Sequence, residues 1–205
     1  MKSEFEAPSA PAELTDIPQW VGWLDVERNG KRTKLPIDAK SNGKLLNAKS
    51  NDPSTWSDFS TAVAAVNRLN LSGVGFVLSA SDGLTGLDLD HVLDPETGEL
   101  APLATEVLSR FAGTYTEISP SGSGIRIWCK GKPGRSGKCV GKVKWLEVYS
   151  HPSSRYLTVT GDHWSGSALA VTDQQEALNW LDSRFMQDST GDGSVSPKDK
   201  PRSPP

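Results

Sequence analysis

Two aspartates at alternate positions of a predicted strand restrict the fold of this chain more than any other feature. Asp88 and Asp90 directly follow Leu87 and Leu89, and the apolar stretch 73–78 lies one short turn upstream. This pattern predicts a strand pair, with the turn near residues 81–83. Because side chains alternate along a strand, both aspartates project from one face while both leucines enter the core. The chain must therefore build a sheet with one acidic face.

Two carboxylates on one face repel each other unless something neutralises them. A divalent cation such as Mg²⁺ or Mn²⁺ does so, and carboxylates with substrate phosphates are its usual ligands. The alternative is a strand end whose acids are simply solvated. The residues around Asp88 and Asp90 leave both interpretations open.

A third acid, Glu147, lies in the apolar stretch 143–149, between Trp145 and Tyr149 on the same predicted face. An acid centred in such a strand must be paired, bind a metal or face solvent. Combined with the two aspartates, it would complete a site for two cations. The alternative is a solvated glutamate on an edge strand.

A serine- and glycine-rich turn at 119–124 precedes Arg126, which we expect on the strand face opposite Ile125 and Ile127. Small residues let backbone N–H groups approach an anion, and hydroxyls add donors. An arginine at this position can bind phosphate with two parallel hydrogen bonds. The alternative is an ordinary turn followed by a solvated arginine. The candidate phosphate-binding residues in this stretch are Ser119, Ser121, Gly122, Ser123, Gly124 and Arg126.

The stretch 126–144 contains seven basic residues and no acid, although the whole chain has a net charge of -3. The molecule as a whole is therefore not a basic nucleic-acid-binding protein, and any such role needs this local patch. A solubilising loop is the alternative. Besides Arg126, the basic residues are Lys130, Lys132, Arg135, Lys138, Lys142 and Lys144.

The order of elements predicts an α+β fold with a mixed, mostly antiparallel sheet and flanking helices grouped on one side. A hairpin is expected around Asn29-Gly30, which is typical of a type I′ turn. A capping box at 172–175 should open the last helix. The other helices are predicted at about 53–69 and 102–111, and strands at 20–26, 33–37, 73–79, 84–90, 114–118, 125–130, 143–149 and 155–160.

Composition predicts one domain at 17–186, a flexible leader at 1–16 and a disordered tail or linker at 187–205. No apolar run approaches the ~18 residues of a membrane span, so we expect a cytoplasmic protein without a membrane partner. Two cysteines without nearby histidines indicate neither a zinc site nor a disulfide framework. The histidines are interpreted as structural or solvated, with His91 on the face opposite the aspartates.

Several of these stretches together resemble the archaeo-eukaryotic primase superfamily, with the closest likeness to the N-terminal domain of phage and plasmid bifunctional primase–polymerases. The resemblance covers about residues 17–165. It depends on the order and spacing of the motifs at 86–90, 119–128, 147–149 and 155–161, with weaker likeness at 20–23, 34–36 and 52–56.

The resemblance implies a primase-like catalytic core for template-dependent nucleotidyl transfer in phage, plasmid or mobile-element replication. Asp88, Asp90 and Glu147 match the acidic motif positions that hold two Mg²⁺ or Mn²⁺ ions. The turn at 119–124 and Arg126, with Arg155 as a further candidate, would hold a nucleoside triphosphate. Arg126 stands where the family usually has a histidine, and arginine cannot shuttle a proton near neutral pH.

The partners implied are a single-stranded DNA template, a primer and nucleoside triphosphates, with a replicative helicase for any unwinding. Two other functions remain open at this point. One is a replication-initiation module that binds single-stranded DNA without efficient catalysis. The other is a metal-dependent nuclease, because the same carboxylates can activate water.

Overall fold

Two antiparallel sheets form the framework of the protein in a computed structural model that describes residues 5–138, 143–151 and 155–186. The tail predicted at 187–205 lies outside the described residues. In chain order the elements are α1 (Ala12–Thr15), β1 (Trp20–Arg28), β2 (Lys31–Ile37), α2 (Phe59–Leu69), β3 (Gly73–Val77), β4 (Leu84–Leu89), α3 (Pro102–Arg110), β5 (Thr116–Ile118), β6 (Ile125–Lys130), β7 (Gly137–Lys138), β8 (Leu146–Tyr149), β9 (Tyr156–Val159) and α4 (Gln175–Phe185).

The first sheet has the strand order β2-β1-β3-β9. Its β1–β2 hairpin turns at Asn29 and Gly30, whose φ angles are 52° and 73°. Positive φ at both central residues is what a type I′ turn requires, so the predicted hairpin is confirmed. Trp20 starts β1 and is fully buried, with its ring against Phe59 of α2 and Phe76 of β3.

The second sheet has the order β5-β6-β4-β8-β7 and places β4 at its centre. Leu87 and Leu89 of β4 are fully buried in a core that α3 and α4 complete with Val107 and Leu181. The alternation predicted for the aspartate strand is therefore confirmed, because its leucines face the helices. Antiparallel sheets with a few packed helices also confirm the α+β prediction.

The prediction that the helices are grouped on one side of the sheet is wrong. While α3 and α4 pack against the second sheet, α2 packs against β1 and β3 of the first. The helix predicted at 53–69 is also divided, because Ser57 exchanges two backbone hydrogen bonds with Trp20, at 2.9 and 2.8 Å. A 3₁₀ turn covers Pro53–Thr55, and α2 begins only after Asp58, which caps it. None of the helices in the described residues is long and apolar enough to cross a bilayer.

Two predictions near the chain ends differ from the structure. Within the stretch expected to be a loose leader, α1 forms and Leu14 is fully buried, with its carbonyl accepting the Trp20 indole N–H at 3.0 Å. The capping box before α4 is wrong. The Thr172 hydroxyl instead donates to the Gly113 carbonyl at 2.7 Å, and the Gln175 N–H is accepted by Asp173.

The two sheets meet where edge strand β9 packs on β4. Gly86 of β4 makes this approach close, because a Cβ atom there would lie only 2.5 Å from Cδ1 of Leu157. Gly75 plays a similar part within the first sheet, where a Cβ atom would lie 2.8 Å from the Tyr156 ring. Neither position has room for a side chain, so both glycines set how closely β9 packs.

Candidate active site at the junction of the two sheets

Five charged side chains lie in one row across the second sheet, on the face away from α3 and α4. The cross-strand register pairs Glu117 with Arg126, Arg126 with Asp88, Asp88 with Glu147, and Glu147 with Lys138. Directly opposed residues of neighbouring strands project from the same face of a sheet. The fold thus brings the predicted Asp88, Glu147 and Arg126 together at the junction with the first sheet.

Arg126 connects the two sheets. Its Nε donates to Asp88 Oδ1 at 3.1 Å, and its Nη1 donates to the Thr158 carbonyl oxygen at 2.7 Å and to the Thr158 hydroxyl. Only 3% of Arg126 is exposed. Charge-assisted hydrogen bonds between buried groups fix orientation strongly. Arg126 is therefore a rigidly held cation beside Asp88, rather than the solvated arginine considered above.

Glu147 is also paired with a cation. The Lys138 ammonium bonds its Oε1, and the Tyr149 hydroxyl donates to its Oε2. Glu147 is buried whereas the Lys138 side chain is 72% exposed. The hydrogen bond to Glu147 raises the pKa of Lys138. The third carboxylate of the site is thus neutralised by a lysine from the basic stretch.

Asp90 follows β4 directly, and its N–H donates to the Trp145 carbonyl at 2.8 Å. Partial burial raises the pKa of Asp90, and the negative charges of Asp88 and Glu147 raise it further. The three predicted carboxylates therefore act on one another as a single cluster of negative charge. Such clusters are typical of cation-binding and catalytic sites.

A metal ion fits the chemistry of this cluster but not its present arrangement. Three carboxylates supply the oxygen ligands that Mg²⁺ and Mn²⁺ prefer. Across residues 5–138, 143–151 and 155–186, however, no three His, Cys, Asp or Glu side chains are arranged to hold an ion. Asp88 and Glu147 are instead turned to Arg126 and Lys138. Ion binding would require at least one of these pairs to open.

The serine- and glycine-rich turn lies at the Asp90 end of the strand pair β4–β6. Its hydroxyls form a chain in which Ser121 lies 3.0 Å from Ser119 and 3.1 Å from Ser123. Ser123 in turn lies 3.3 Å from Nδ1 of His91. We expected His91 on the face opposite the aspartates, but its left-handed backbone, with φ of 54°, directs the ring to this turn.

The two glycines of this turn, Gly122 and Gly124, allow its backbone to fold tightly. Gly122 has a φ of 75°, and its N–H donates to the Ser119 carbonyl at 2.9 Å. At Gly124 a Cβ atom would lie 2.9 Å from the Leu89 carbonyl oxygen. The turn is therefore tightly closed against β4. Arg155, the further phosphate-binding candidate, lies apart from it with its guanidinium 5.2 Å from the Tyr149 ring centroid, on the Glu147 side.

The basic stretch follows β6 along the edge of the second sheet. Lys130, Lys132, Arg135 and Lys144 are exposed, and Lys142 lies outside the described residues. Two hydrogen bonds between the Lys132 backbone and the Gln175 side chain, both 2.9 Å, hold the stretch against α4. Within this stretch Lys138 contacts the carboxylate cluster through Glu147. We refer to the exposed residues Lys130, Lys132, Arg135 and Lys144 as the separate basic surface.

Two further charged residues at the site were not singled out from sequence. Glu117 is fully buried, and its Oε2 accepts hydrogen bonds from the Tyr115 hydroxyl at 3.1 Å and the Gly161 N–H at 3.0 Å. Its Oε1 has no hydrogen-bond partner among the residues that the structure describes. Burial raises the pKa of Glu117. The sequence could have indicated Glu117, because it lies inside a predicted strand, which is the pattern that indicated Glu147. The second is Lys34 of β2, half-buried near Arg126.

Comparison with known proteins identifies a relative of this chain. No protein-family model matches. The chain is 39% identical over 167 residues to a protein named DNA primase-polymerase from Nitratiruptor phage NrS-1, a match that covers 79% of this chain. The chain spans about 21% of the length of that relative. The predicted resemblance to the phage primase–polymerases is thereby confirmed, over the part of that relative which this chain spans.

Proposed function

We propose that this chain is a catalytic module for template-dependent nucleotidyl transfer, acting as a DNA primase, a DNA polymerase or both in replication of a phage or another mobile element. The observation that carries the proposal is the Arg126–Asp88–Glu147 row, with Asp90 two residues further along the chain from Asp88. Clustered acids beside a fixed cation suit phosphoryl transfer, in which positioning and charge neutralisation provide most of the rate. The phage relative supports the same assignment.

In this proposal Asp88, Asp90 and Glu147 hold Mg²⁺ or Mn²⁺. Bound cations would lower the pKa of the attacking 3′-hydroxyl and stabilise the leaving pyrophosphate. The 3′-oxygen forms a bond to the α-phosphorus of the incoming triphosphate, and the bond from that phosphorus to the bridging oxygen breaks. The 3′-hydroxyl proton leaves to water, because Arg126 stays charged and cannot accept it.

Arg126 would bind the phosphates of the nucleotide. The Thr158 carbonyl oxygen already accepts a hydrogen bond from Arg126 Nη1 at 2.7 Å. The guanidinium should therefore stay in place when Asp88 turns to a cation. Buried and pre-oriented donors need no reorganisation when charge develops on the phosphates. The exposed residues of the basic stretch would contact the template backbone, because phosphate contacts by lysine and arginine supply most sequence-independent affinity.

One observation favours a second candidate, a module that binds single-stranded DNA and relies on a partner for synthesis. Asp88 and Glu147 are already neutralised by Arg126 and Lys138. A sheet that only has to be stable would satisfy its buried acids in this way. Asp90 argues for the enzyme, because it adds a third acid whose pKa is raised by partial burial and by the charges of the other two.

One experiment separates these functions. The protein is incubated with single-stranded template, labelled nucleoside triphosphates and Mg²⁺ or Mn²⁺, with and without a primer, and products are resolved by length. Products longer than the starting strand indicate a primase or polymerase, shortened strands indicate a nuclease, and unchanged strands indicate the binding module. The variant Asp88→Asn with Asp90→Asn is the control, since it should lose synthesis and retain DNA binding.

A further inference from the structure

Lys34 is a half-buried lysine whose ammonium forms no ion pair with any of the described residues. Its cross-strand partner in β1 is Asp25. The Asp25 carboxylate, however, accepts two hydrogen bonds from Arg32, from Nε at 3.3 Å and from Nη2 at 2.5 Å. Among the residues that the structure describes, the Lys34 ammonium has no hydrogen bond and no ion pair. Lysine is seldom buried unless it is paired. The position therefore calls for an explanation other than the stability of the fold.

The first sheet brings Lys34 towards Arg126. The ring of Tyr156 in β9 lies next to Gly75, where a Cβ atom would be 2.8 Å from it, and the Tyr156 hydroxyl donates to the Lys34 backbone carbonyl. Thr158, two residues further along β9 and on the same face, accepts the hydrogen bonds of Arg126. Strand β9 therefore contacts both residues from one face: Tyr156 holds the Lys34 backbone, and Thr158 holds the Arg126 guanidinium.

The charges around Lys34 are unbalanced. Burial lowers the pKa of Lys34, and the positive charge of Arg126 lowers it further, although Asp88, Asp90 and Asp25 act in the opposite direction. If Asp88 and Asp90 turn to a cation, as the proposed function requires, this opposing effect weakens. Of the three acids only Asp25 then remains, and it is already paired with Arg32, so a polyanion would relieve the repulsion between Lys34 and Arg126.

We propose that Lys34 is a second phosphate-binding residue, which contacts the triphosphate of an incoming nucleoside triphosphate from the first sheet while Arg126 contacts it from the second. This inference rests on the proposed function. A triphosphate suits the position better than a DNA backbone, because its charges are closely spaced and can bridge two neighbouring cations. The lysines of the separate basic surface that follows β6 are exposed and suit a DNA backbone better than the half-buried Lys34 does. A compact ammonium group suits a point contact to phosphate.

The test uses the whole chain and the variant Lys34→Met. Its matched control is Lys31→Met, which removes the same charge from an exposed position in the same strand. Binding of dATP with Mg²⁺, and of inorganic tripolyphosphate without metal, is measured by calorimetry. We expect Lys34→Met to weaken both by roughly 10-fold or more, as for a lost charge-assisted contact. Lys31→Met should stay within about twofold of the original protein, since exposed charges contribute little.

Thermal unfolding provides an independent readout. If Lys34 serves ligand binding and not the fold, Lys34→Met should leave the unfolding temperature unchanged or higher, because it removes an unpaired and partly desolvated charge. A clear fall in the unfolding temperature would instead assign Lys34 to the fold and overturn the inference.

The other outcomes are equally distinct. Unchanged dATP binding by Lys34→Met, beside normal binding by the original protein, would overturn the role of Lys34 and leave the proposed function intact. If the original protein binds neither probe, the proposed function fails and the inference fails with it. If Lys34→Met instead weakens single-stranded DNA binding and lowers its log–log salt slope by about 0.7, Lys34 contacts DNA and the inference is wrong.

Discussion

Asp88 and Glu147 are direct cross-strand partners, and each carboxylate is paired with a cation from the strand on its other side. Arg126 neutralises Asp88 from β6, and Lys138 neutralises Glu147 from β7. The two cations differ in exposure, because the Arg126 side chain is 4% exposed and that of Lys138 is 72% exposed. Exposed pairs are weak, so the Lys138 pair should open first when a metal ion binds.

We therefore expect Lys138→Ala to tighten Mn²⁺ binding in the absence of DNA, by roughly twofold to fivefold, because Glu147 no longer has to release a lysine. Electron paramagnetic resonance of free Mn²⁺ measures this affinity without any turnover. Lys130→Ala is the control, since it removes an exposed lysine of the same stretch that has no contact with Glu147. Equal Mn²⁺ affinity in all three proteins would show that Lys138 does not compete for Glu147.

Arg126 provides the most direct test of nucleotide binding. Arg126→Ala should raise the nucleotide KM or lower turnover by roughly 10- to 1000-fold, as expected for a lost charge-assisted contact. It should also destabilise the protein by about 3 kcal/mol, since a buried ion pair is broken. Kinetics must therefore be measured well below the unfolding temperature of the variant.

Arg126→His introduces the histidine that the resemblance to the primase superfamily implies for this position. Activity should return in part, with a new pH dependence near ~6.5 that arginine cannot produce. If Arg126→Ala keeps normal nucleotide kinetics, the binding module becomes the better interpretation of the site.

Asp90 should make stability depend on pH. Its pKa is raised in the folded protein, so the folded state binds the proton more tightly than the unfolded chain. The resulting stabilisation is present at low pH and is lost as the pH rises through the raised pKa. Asp90→Asn should therefore raise the unfolding temperature at neutral pH, with the difference disappearing below about pH 4. Unfolding scans without metal at several pH values measure this, and a pH-independent difference would contradict it.

The basic surface should provide the salt-dependent part of DNA affinity. Replacing Lys130 and Lys132 by alanine should weaken single-stranded DNA binding and reduce the log–log salt slope by up to about 0.7 per lysine. Fluorescence anisotropy across a salt series measures the slope. The same change at Lys31 and Lys44, which are exposed elsewhere, is the matched control. If both double variants behave alike, the surface only contributes to the overall charge.

Much of the site could be predicted from sequence because strand alternation is a strictly local rule. It placed Asp88 on the face opposite Leu87, and it placed Arg126 opposite Ile125 and Ile127, before any partner strand was known. What alternation does not give is register. That Asp88 lies between Arg126 and Glu147 depends on how β6 and β8 pair with β4.

The residues that sequence did not reveal depend on contacts between distant segments. Lys34 is 122 residues from Tyr156, which bonds its backbone carbonyl. Thr158 carries no local signal for its role at Arg126. The capping box failed for the same reason, since Thr172 prefers the Gly113 carbonyl, 59 residues away. Such tertiary hydrogen bonds override local sequence patterns.

The absence of a side chain at Gly86 has a consequence beyond packing. A Cβ atom there would lie 2.5 Å from Cδ1 of Leu157, so the gap between β4 and β9 at this point is filled by the leucine side chain. Arg126 crosses the same junction to reach the Thr158 carbonyl oxygen at 2.7 Å. A larger residue at position 86 would therefore act on the charged row from a distance, because moving β9 would move the acceptor that holds Arg126.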